Sequence, residues 1–123
     1  MAEAQAGANG SRAAWLAAGW LVAAAIVWLS LTPSPPKIGD FELSDKLQHL
    51  AGYGALMFCF ARAVGRRRAR LAYAALWTAM GAALEFAQDA FGYRSFELAD
   101  MLANAAGVAL GGFAGAARGA ARP

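Results

Sequence analysis

The chain has 123 residues, of which 59% are hydrophobic and only 15% are charged, and its net charge is +3. A soluble domain typically has about 45–50% apolar and about 25% charged residues, so this composition argues against an ordinary soluble domain, and the length leaves room for one domain only. The single cysteine, Cys59, excludes a disulfide framework and a cysteine metal cluster.

The N-terminal third predicts a tail followed by a membrane-spanning helix. Residues 1–12 are rich in Ala, Gly and small polar residues, which predicts a disordered tail. Ala13 to Thr32 are 20 uncharged residues that span about 30 Å as a helix, the thickness of a bilayer's hydrocarbon core. The alternative, a cleavable signal peptide, has a shorter apolar region and a small-residue cleavage site, whereas a proline-rich turn follows at Pro33. We therefore predict an uncleaved transmembrane helix.

Three further helices are predicted after this turn. The second starts near Ser44 or Asp45, both good N-cap residues, and runs to about Val64. The third covers residues 71–91 and the fourth covers residues 98–117. The fold class is therefore an all-α integral membrane protein.

The basic residues are distributed unevenly among the segments between these helices. Eight lie before helix 1, around the helix 2–3 turn or after helix 4, namely Arg12, Arg62, Arg66, Arg67, Arg68, Arg70, Arg118 and Arg122. The other side has only Lys37, Lys46 and Arg94. By the positive-inside rule, both termini and the arginine turn are cytoplasmic. The sequence thus predicts a four-transmembrane-helix bundle over residues 13–117, with a cytoplasmic tail over residues 118–123.

The arginine run RRRAR in the helix 2–3 turn has a second interpretation. Such runs also occur in nucleic-acid and anionic-lipid binding patches. A topology determinant in a tight cytoplasmic turn explains the run better, and we expect no nucleic-acid partner.

Polar residues in or beside the apolar stretches all fall in the outer half of the predicted bilayer. They are Asp45, Lys46, His49, Glu85, Gln88, Arg94, Asp100 and Asn104. An ionisable group inside a bilayer costs roughly 2.5–3.5 kcal/mol, so such residues usually face the protein interior and mark functional sites. Asp45, His49 and Tyr53 share one face of helix 2, and the polar residues of helices 3 and 4 are also in register. These faces can satisfy one another only by converging.

Several of these residues also have purely structural interpretations. Asp45 could cap helix 2, and Lys46 could extend to anionic headgroups. Gln88 and Asn104 could hydrogen-bond between helices. Glu85 is harder to explain in this way, because at that depth it must be protonated or paired with Lys46, His49 or Arg94.

Metal and cofactor sites are not predicted. The chain has one histidine, no usable cysteine and no HExxH motif, so a zinc site is disfavoured. In helix 4, Gly107, Gly111 and Gly115 form a small-residue stripe that suits close helix packing, either within the chain or in a homo-oligomer.

Three sequence blocks and one arginine resemble the VanZ-like family of membrane proteins. They are DKLQHLAGYGAL at 45–56, EFAQ at 85–88, Arg94, and DMLANAAGVALGG at 100–112. The resemblance implies a small multi-helix protein of the bacterial inner membrane, in a family whose namesake is associated with low-level teicoplanin resistance. The family motif positions here are Asp45, Lys46, His49, Tyr53, Glu85, Gln88, Arg94, Asp100, Asn104 and Gly107.

Three functions are compatible with this pattern. In the first, an outer-facing pocket binds the headgroup of an anionic lipid or of a lipid-linked cell-envelope precursor, with Lys46 and Arg94 on the phosphate. In the second, the chain is an intramembrane enzyme that uses His49 as acid or base with Asp45 or Glu85. In the third, the chain is purely structural: its polar network only fixes helix packing, or the chain is a membrane subunit of a larger assembly.

Overall fold

The computed structural model describes residues 1–36, 39 and 42–120. It contains four helices: α1 (Ala2–Ser30), α2 (Glu42–Ala63), α3 (Arg67–Ala90) and α4 (Leu98–Ala120). The described residues form no strand, so the prediction of an all-helical chain with four helices is confirmed. Lys37 and Arg122, which the loop-charge count includes, and residues 121–123 of the predicted tail lie outside the described residues.

The N-terminal end of α1 differs from the sequence expectation. Residues 2–12 continue the helix instead of forming a disordered tail. This segment is rich in Ala, the best helix former, and Glu3 in the first turn interacts favourably with the helix dipole. Residues 1–10 are exposed, so local helix propensity rather than packing accounts for this extension.

The start of α2 also differs from its prediction. The helix begins at Glu42, so Asp45 lies inside the first turns and is not the N-cap residue. The Ser44 hydroxyl donates a hydrogen bond to the Gly39 carbonyl at 3.3 Å. The Asp45 carboxylate is therefore available for contacts between helices.

The helices alternate in direction, and α2 lies at the centre of the bundle. Its most extensive contact is with α4, to which it runs parallel, since Gly107 lies beside Leu50 and Gly115 lies beside Ala61. In contrast, α1 and α3 run antiparallel to α2, and Trp77 of α3 packs on Phe60 of α2. The N-terminus of α2, the C-terminus of α3 and the N-terminus of α4 therefore meet at one end of the bundle.

An aromatic cluster forms the core towards the other end of the bundle. Phe60 is fully buried, and its ring contacts Trp20 of α1 and both Tyr73 and Trp77 of α3. Gly19 of α1 allows this approach, because a Cβ atom there would lie 2.6 Å from the Phe60 ring. The first helix is thus an integral part of the bundle.

The glycine stripe of α4 packs within the chain. A Cβ atom at Gly111 would overlap the carbonyl oxygen of Gly54, and one at Gly115 would lie 2.7 Å from the Ala61 Cβ. Of the two possibilities that the sequence leaves open, the structure shows the internal one. A homo-oligomer through the same face would have to displace α2.

Two of the four helices are long and apolar enough to cross a membrane, by length and composition alone. They are α1 and residues 98–119 of α4. The helices α2 and α3 do not meet this criterion. Polar residues within them, such as Gln48 and His49 in α2 and Glu85 and Gln88 in α3, lower their mean hydropathy. By this criterion the described residues contain two candidate membrane spans, whereas the sequence predicts four.

Candidate functional site

The predicted polar residues converge where α2, α3 and α4 meet. The loop between α3 and α4, residues 91–97, closes this end and contributes Arg94 and Glu97. Gly92 lies in this loop with a φ of +71°, a left-handed conformation that glycine adopts without strain. The sharp turn brings Arg94 back over the bundle towards α2.

Asp100 is the centre of an ion-pair network. Its side chain is fully buried, and each of its two carboxylate oxygens accepts a hydrogen bond from a different cation. The Lys46 ammonium donates to Oδ1 at 2.5 Å, and the Arg94 guanidinium donates to Oδ2 at 2.9 Å. Asp100 thereby ties α4 to both α2 and the α3–α4 loop.

Asp45 holds the other side of the Arg94 guanidinium. Both terminal nitrogens of Arg94 donate to the Asp45 carboxylate, Nη1 to Oδ1 at 2.8 Å and Nη2 to Oδ2. This two-point geometry is the strong form of an arginine–carboxylate pair. The hydrogen bonds that Arg94 donates to Asp45 raise the pKa of the Arg94 guanidinium above its ordinary value. Asp45 therefore forms an ion pair between α2 and the α3–α4 loop and does not cap α2, which is one interpretation of its sequence position.

Glu97 belongs to the network although its sequence position suggests an ordinary loop residue. Its carboxylate accepts a hydrogen bond from the Lys46 ammonium at 2.5 Å, and half of its side chain is exposed. This bond holds the pKa of the Glu97 carboxyl below its usual range. The sequence indicates this role of Glu97 only through its position, because Glu97 directly precedes the start of α4 and is therefore close to Asp100.

The two cations of this cluster are neutralised within it. Lys46 and Arg94 contact three carboxylates, which belong to Asp45, Glu97 and Asp100. With both cations and all three carboxylates charged, the group has one more negative than positive charge. The structure therefore brings Lys46 and Arg94 together as expected, but with acidic partners already in place.

A second group of polar residues, which contains His49, lies deeper in the bundle than the ion-pair network. Its Nδ1 lies 2.8 Å from Oδ1 of Asn104, which is the arrangement of an Nδ1–H donating to an amide oxygen. The nearest Glu85 oxygen is 3.9 Å from the same nitrogen, beyond hydrogen-bonding distance. An amide and not a carboxylate therefore orients the imidazole.

Glu85 is buried with an incomplete set of partners. Its side chain is 3% exposed, and its Oε2 atom has no hydrogen-bond partner among the described residues. Of the three pairings that the sequence allows, those with Lys46 and Arg94 do not form, and His49 remains the neighbour. A buried oxygen without a partner lowers the stability of a fold, which suggests that this carboxyl is not present for stability.

We expect Glu85→Met to stabilise the protein by about 1 kcal/mol, because it replaces an unsatisfied buried carboxyl with an apolar side chain of similar size. Glu85→Gln keeps a polar group at the site and should give no such gain. Unfolding titrations in detergent micelles, followed by tryptophan fluorescence, measure the difference. A Glu85→Met variant less stable than the native chain would show instead that the carboxyl supports the fold.

An open cleft of about 140 Å³ lies beside the ion-pair network. One wall is apolar and comes from α1 and the following turn, with Ile26, Leu29, Pro35 and Pro36. The other wall is polar and comes mainly from α2, with Asp45, Gln48, His49, Gln88 and Arg94. Tyr53, which is almost completely buried, lines the same cleft. The cleft can therefore receive a molecule that has both a polar and an apolar part.

The predicted site residues divide into two sets. Asp45, His49, Tyr53, Gln88 and Arg94 line the cleft, whereas Lys46, Glu85, Asp100 and Asn104 lie outside its lining. Sequence reasoning missed Gln48, whose spacing of three residues from Asp45 places it on the same face of α2.

The oxygen and nitrogen atoms of Asp45, His49 and Asp100 lie close enough to be considered for a metal ion. One possible ligand atom from each falls within 4.8 Å of the others. Both carboxylates are already bonded to Arg94, and a cation would have to compete with that guanidinium for the same oxygens. The donor set does not favour a metal.

Comparison of the chain with protein-family models, curated proteins and solved structures finds no match.

Proposed function

We propose that this chain is an integral membrane protein that binds the polar headgroup of an amphiphilic molecule in the cleft between α1, α2 and the α3–α4 loop. The observation that carries the proposal is the division of that cleft into an apolar wall and a polar wall. A headgroup and the first atoms of its hydrocarbon chain match these two surfaces at once.

The outer surface of the bundle supports placement in a membrane. Large apolar side chains are exposed along α1 and α4, with Leu21 at 72%, Trp28 at 63% and Phe113 at 83% exposure. Only 11% of the most apolar part of α1 is buried within the chain, which is unlike the core helix of a soluble protein. Packing of Gly19 and Ala23 against the bundle supports our proposal that α1 is an uncleaved membrane helix and not a signal sequence. Exposed apolar faces of this extent call for lipid around them.

The four-span arrangement is part of the same proposal. Buried Glu85, Gln88, Asp100 and Asn104 face the bundle interior and not its periphery. Such burial allows helices with polar residues to cross a bilayer, because the polar groups face other parts of the protein and do not meet lipid. With both termini and the arginine turn in the cytoplasm, the cleft opens towards the outer face.

The side chains on the polar wall of the cleft restrict which kinds of headgroup can bind there. Arg94 is the only one of the two predicted phosphate contacts that lines the cleft, and it is already paired with Asp45. The wall also offers the side chains of Gln48, His49 and Gln88, which provide both donors and acceptors. A headgroup with many hydroxyl or amide groups fits better than one that presents only phosphate.

The resemblance to VanZ-like proteins belongs to this proposal as well. The motif positions that carry it coincide with the cleft and the adjoining network. This resemblance favours a lipid-linked cell-envelope precursor as the amphiphile, because the sugar and peptide groups of such a precursor supply the required hydrogen-bonding atoms. A link to glycopeptide resistance would follow from binding such a precursor.

We expect Gly52→Leu to reduce the amount of amphiphile retained by the purified protein by at least about tenfold, since a leucine side chain fills much of a 140 Å³ cleft. The measurement is mass spectrometry of bacterial lipids that copurify in mild detergent and resist delipidation. Gly52→Ala is the matched control, because its Cβ would meet Ile26 at an ordinary 3.8 Å. Equal retention by the native chain and both variants would contradict headgroup binding in this cleft.

An acid–base role for His49 is the second candidate. The observation in its favour is that His49 lines the cleft with Glu85 behind it, 3.9 Å away. Incubation of the reconstituted protein with extracted bacterial lipids should then give a product that a His49→Gln variant does not give. Within the described part of the chain, no carboxylate lies within hydrogen-bonding distance of Nδ1, and this role is therefore second to binding.

A further inference from the structure

A second cleft, of about 350 Å³, lies at the opposite end of the bundle from the candidate site. It forms between the C-terminal end of α2, the turn that follows, the start of α3 and the end of α4. Its lining consists of two arginines and five small or apolar residues: Arg62, Arg70, Ala61, Val64, Gly65, Ala116 and Gly119. Arg62 is 17 residues from Asp45 along α2, which separates the two clefts by about 25 Å. We refer to it as the arginine cleft.

Among the described residues, the arginines at this end have no acidic partners. Seven are described, namely Arg12, Arg62, Arg66, Arg67, Arg68, Arg70 and Arg118, and none of them forms an ion pair within the described part of the chain. The situation is opposite to that of Lys46 and Arg94, which three carboxylates neutralise. Uncompensated positive charge of the bundle is therefore concentrated around the arginine cleft.

The two arginines that line the cleft are partly buried and not free in solvent. The Arg62 guanidinium lies over the Trp15 ring of α1, 5.5 Å from its centroid. This cation–π contact restrains the side chain at the cleft without neutralising its charge. A planar guanidinium held in this way is suited to two-point contact with the oxygens of a phosphate.

The start of α3 adds a second reason for an anion here. The N-cap residue Arg66 makes no capping hydrogen bond through its side chain, and the first turn of α3 has no acidic residue. The positive end of a helix dipole is ordinarily paired with acidic side chains, whereas here Arg67, Arg68 and Arg70 follow. A bound anion would counter both the arginines and the uncapped N–H groups.

We propose that the arginine cleft binds the phosphate group of an anionic ligand, with Arg62 and Arg70 contacting its oxygens. Small residues on the other walls, Gly65, Ala116 and Gly119, leave room for the group that carries the phosphate. Two sources share this chemistry, the headgroup of an anionic phospholipid and free phosphate. In the proposed membrane orientation this end is cytoplasmic, where a phospholipid headgroup is at the right depth.

The first arm of the test uses the full chain in a nonionic detergent. Native mass spectrometry measures binding of phosphatidylglycerol and of phosphatidylcholine, and we expect phosphatidylglycerol to bind at least about tenfold more tightly. The second arm follows inorganic phosphate binding by phosphorus NMR without lipid. Binding in the first arm alone identifies a lipid headgroup, and binding in the second identifies free phosphate. Failure of both ligands to bind more tightly than phosphatidylcholine or chloride overturns the proposal.

Two matched double variants distinguish specific phosphate binding in the arginine cleft from nonspecific electrostatic attraction. Arg62→Gln with Arg70→Gln should lower the affinity at least about tenfold, as two charge-assisted hydrogen bonds are lost. Arg67→Gln with Arg68→Gln removes the same charge from exposed residues outside the cleft lining and should change the affinity less than about threefold. Equal losses in the two double variants would show diffuse attraction and would overturn the proposal.

The double variant also removes the contact between Arg62 and Trp15, which could cause a folding defect. Two further variants distinguish such a defect from the loss of phosphate binding. Arg70→Gln alone leaves that contact intact and should still weaken binding. Ala116→Leu narrows the cleft without a change of charge and should weaken binding as well. Gly52→Leu, which fills the distant first cleft, should leave phosphate binding unchanged, so the two proposals fail independently of each other.

Discussion

Replacing Asp100 by asparagine is expected to destabilise the protein by about 3–5 kcal/mol, the usual effect of removing one partner from a buried ion pair. The carboxylate is fully buried and accepts from both Lys46 and Arg94. Asparagine has nearly the same shape but no charge, and its amide NH₂ would face one of the two cations. Both cations would lose their buried partner at once.

Unfolding in detergent micelles, followed by tryptophan fluorescence, measures this effect, since Trp20 and Trp77 pack on Phe60 in the core. Glu97→Gln is the matched control: it removes the same charge from another partner of Lys46, but that side chain is 49% exposed. Its effect should be at most about 1 kcal/mol, as for surface ion pairs. If the two variants lost the same stability, the buried position of Asp100 would not matter and the network would have another centre.

Replacing Gly111 by alanine is expected to destabilise the protein by about 1–3 kcal/mol or more through overpacking. Its Cβ would overlap the carbonyl oxygen of Gly54, which is backbone and cannot move away by a change of rotamer. The two helices would have to separate, and the neighbouring close contact between Gly107 and Leu50 would be lost with them. The same unfolding titration detects this change.

The adjacent glycine provides a control on the same helix. A Cβ at Gly112 would lie 3.4 Å from the Met57 side chain, which is flexible. Alanine also forms helix better than glycine by up to about 1 kcal/mol, so Gly112→Ala should be neutral or stabilising. A destabilising Gly112→Ala with a harmless Gly111→Ala would show that the glycine stripe does not pack as described.

The distribution of charge in the folded chain moves the expected anion site from the end of the bundle with Lys46 and Arg94 to the arginine cleft at the opposite end. From sequence, Lys46 and Arg94 are the obvious phosphate contacts, because they are the only lysine and arginine among the eight polar residues in or beside the apolar stretches. In the folded chain both are bonded to carboxylates, and Lys46 does not line the cleft. The arginines at the other end, whose simplest explanation is topology, retain their charge and line a cleft of their own.

The sequence by itself determined the helices and the convergence of the polar residues. Apolar stretches interrupted by prolines and arginines predict four helices, and α4 begins at Leu98 as expected. The spacing of Asp45 and His49 by four residues places them on one face of α2, and both line the first cleft. These features depend on helical periodicity, which is local and therefore legible in the sequence.

Only the tertiary structure decided which polar residues are partners. Glu97 and Asp100 both accept hydrogen bonds from Lys46, and Asn104 and not a carboxylate orients His49. Such pairings depend on the angle of the α3–α4 loop and on how closely α2 approaches α4 at Gly54 and Gly111. Those distances arise from packing between segments about 50 residues apart, and helical periodicity carries no information about them. For the same reason, the composition of the arginine turn indicated its charge but not the cleft that this charge surrounds.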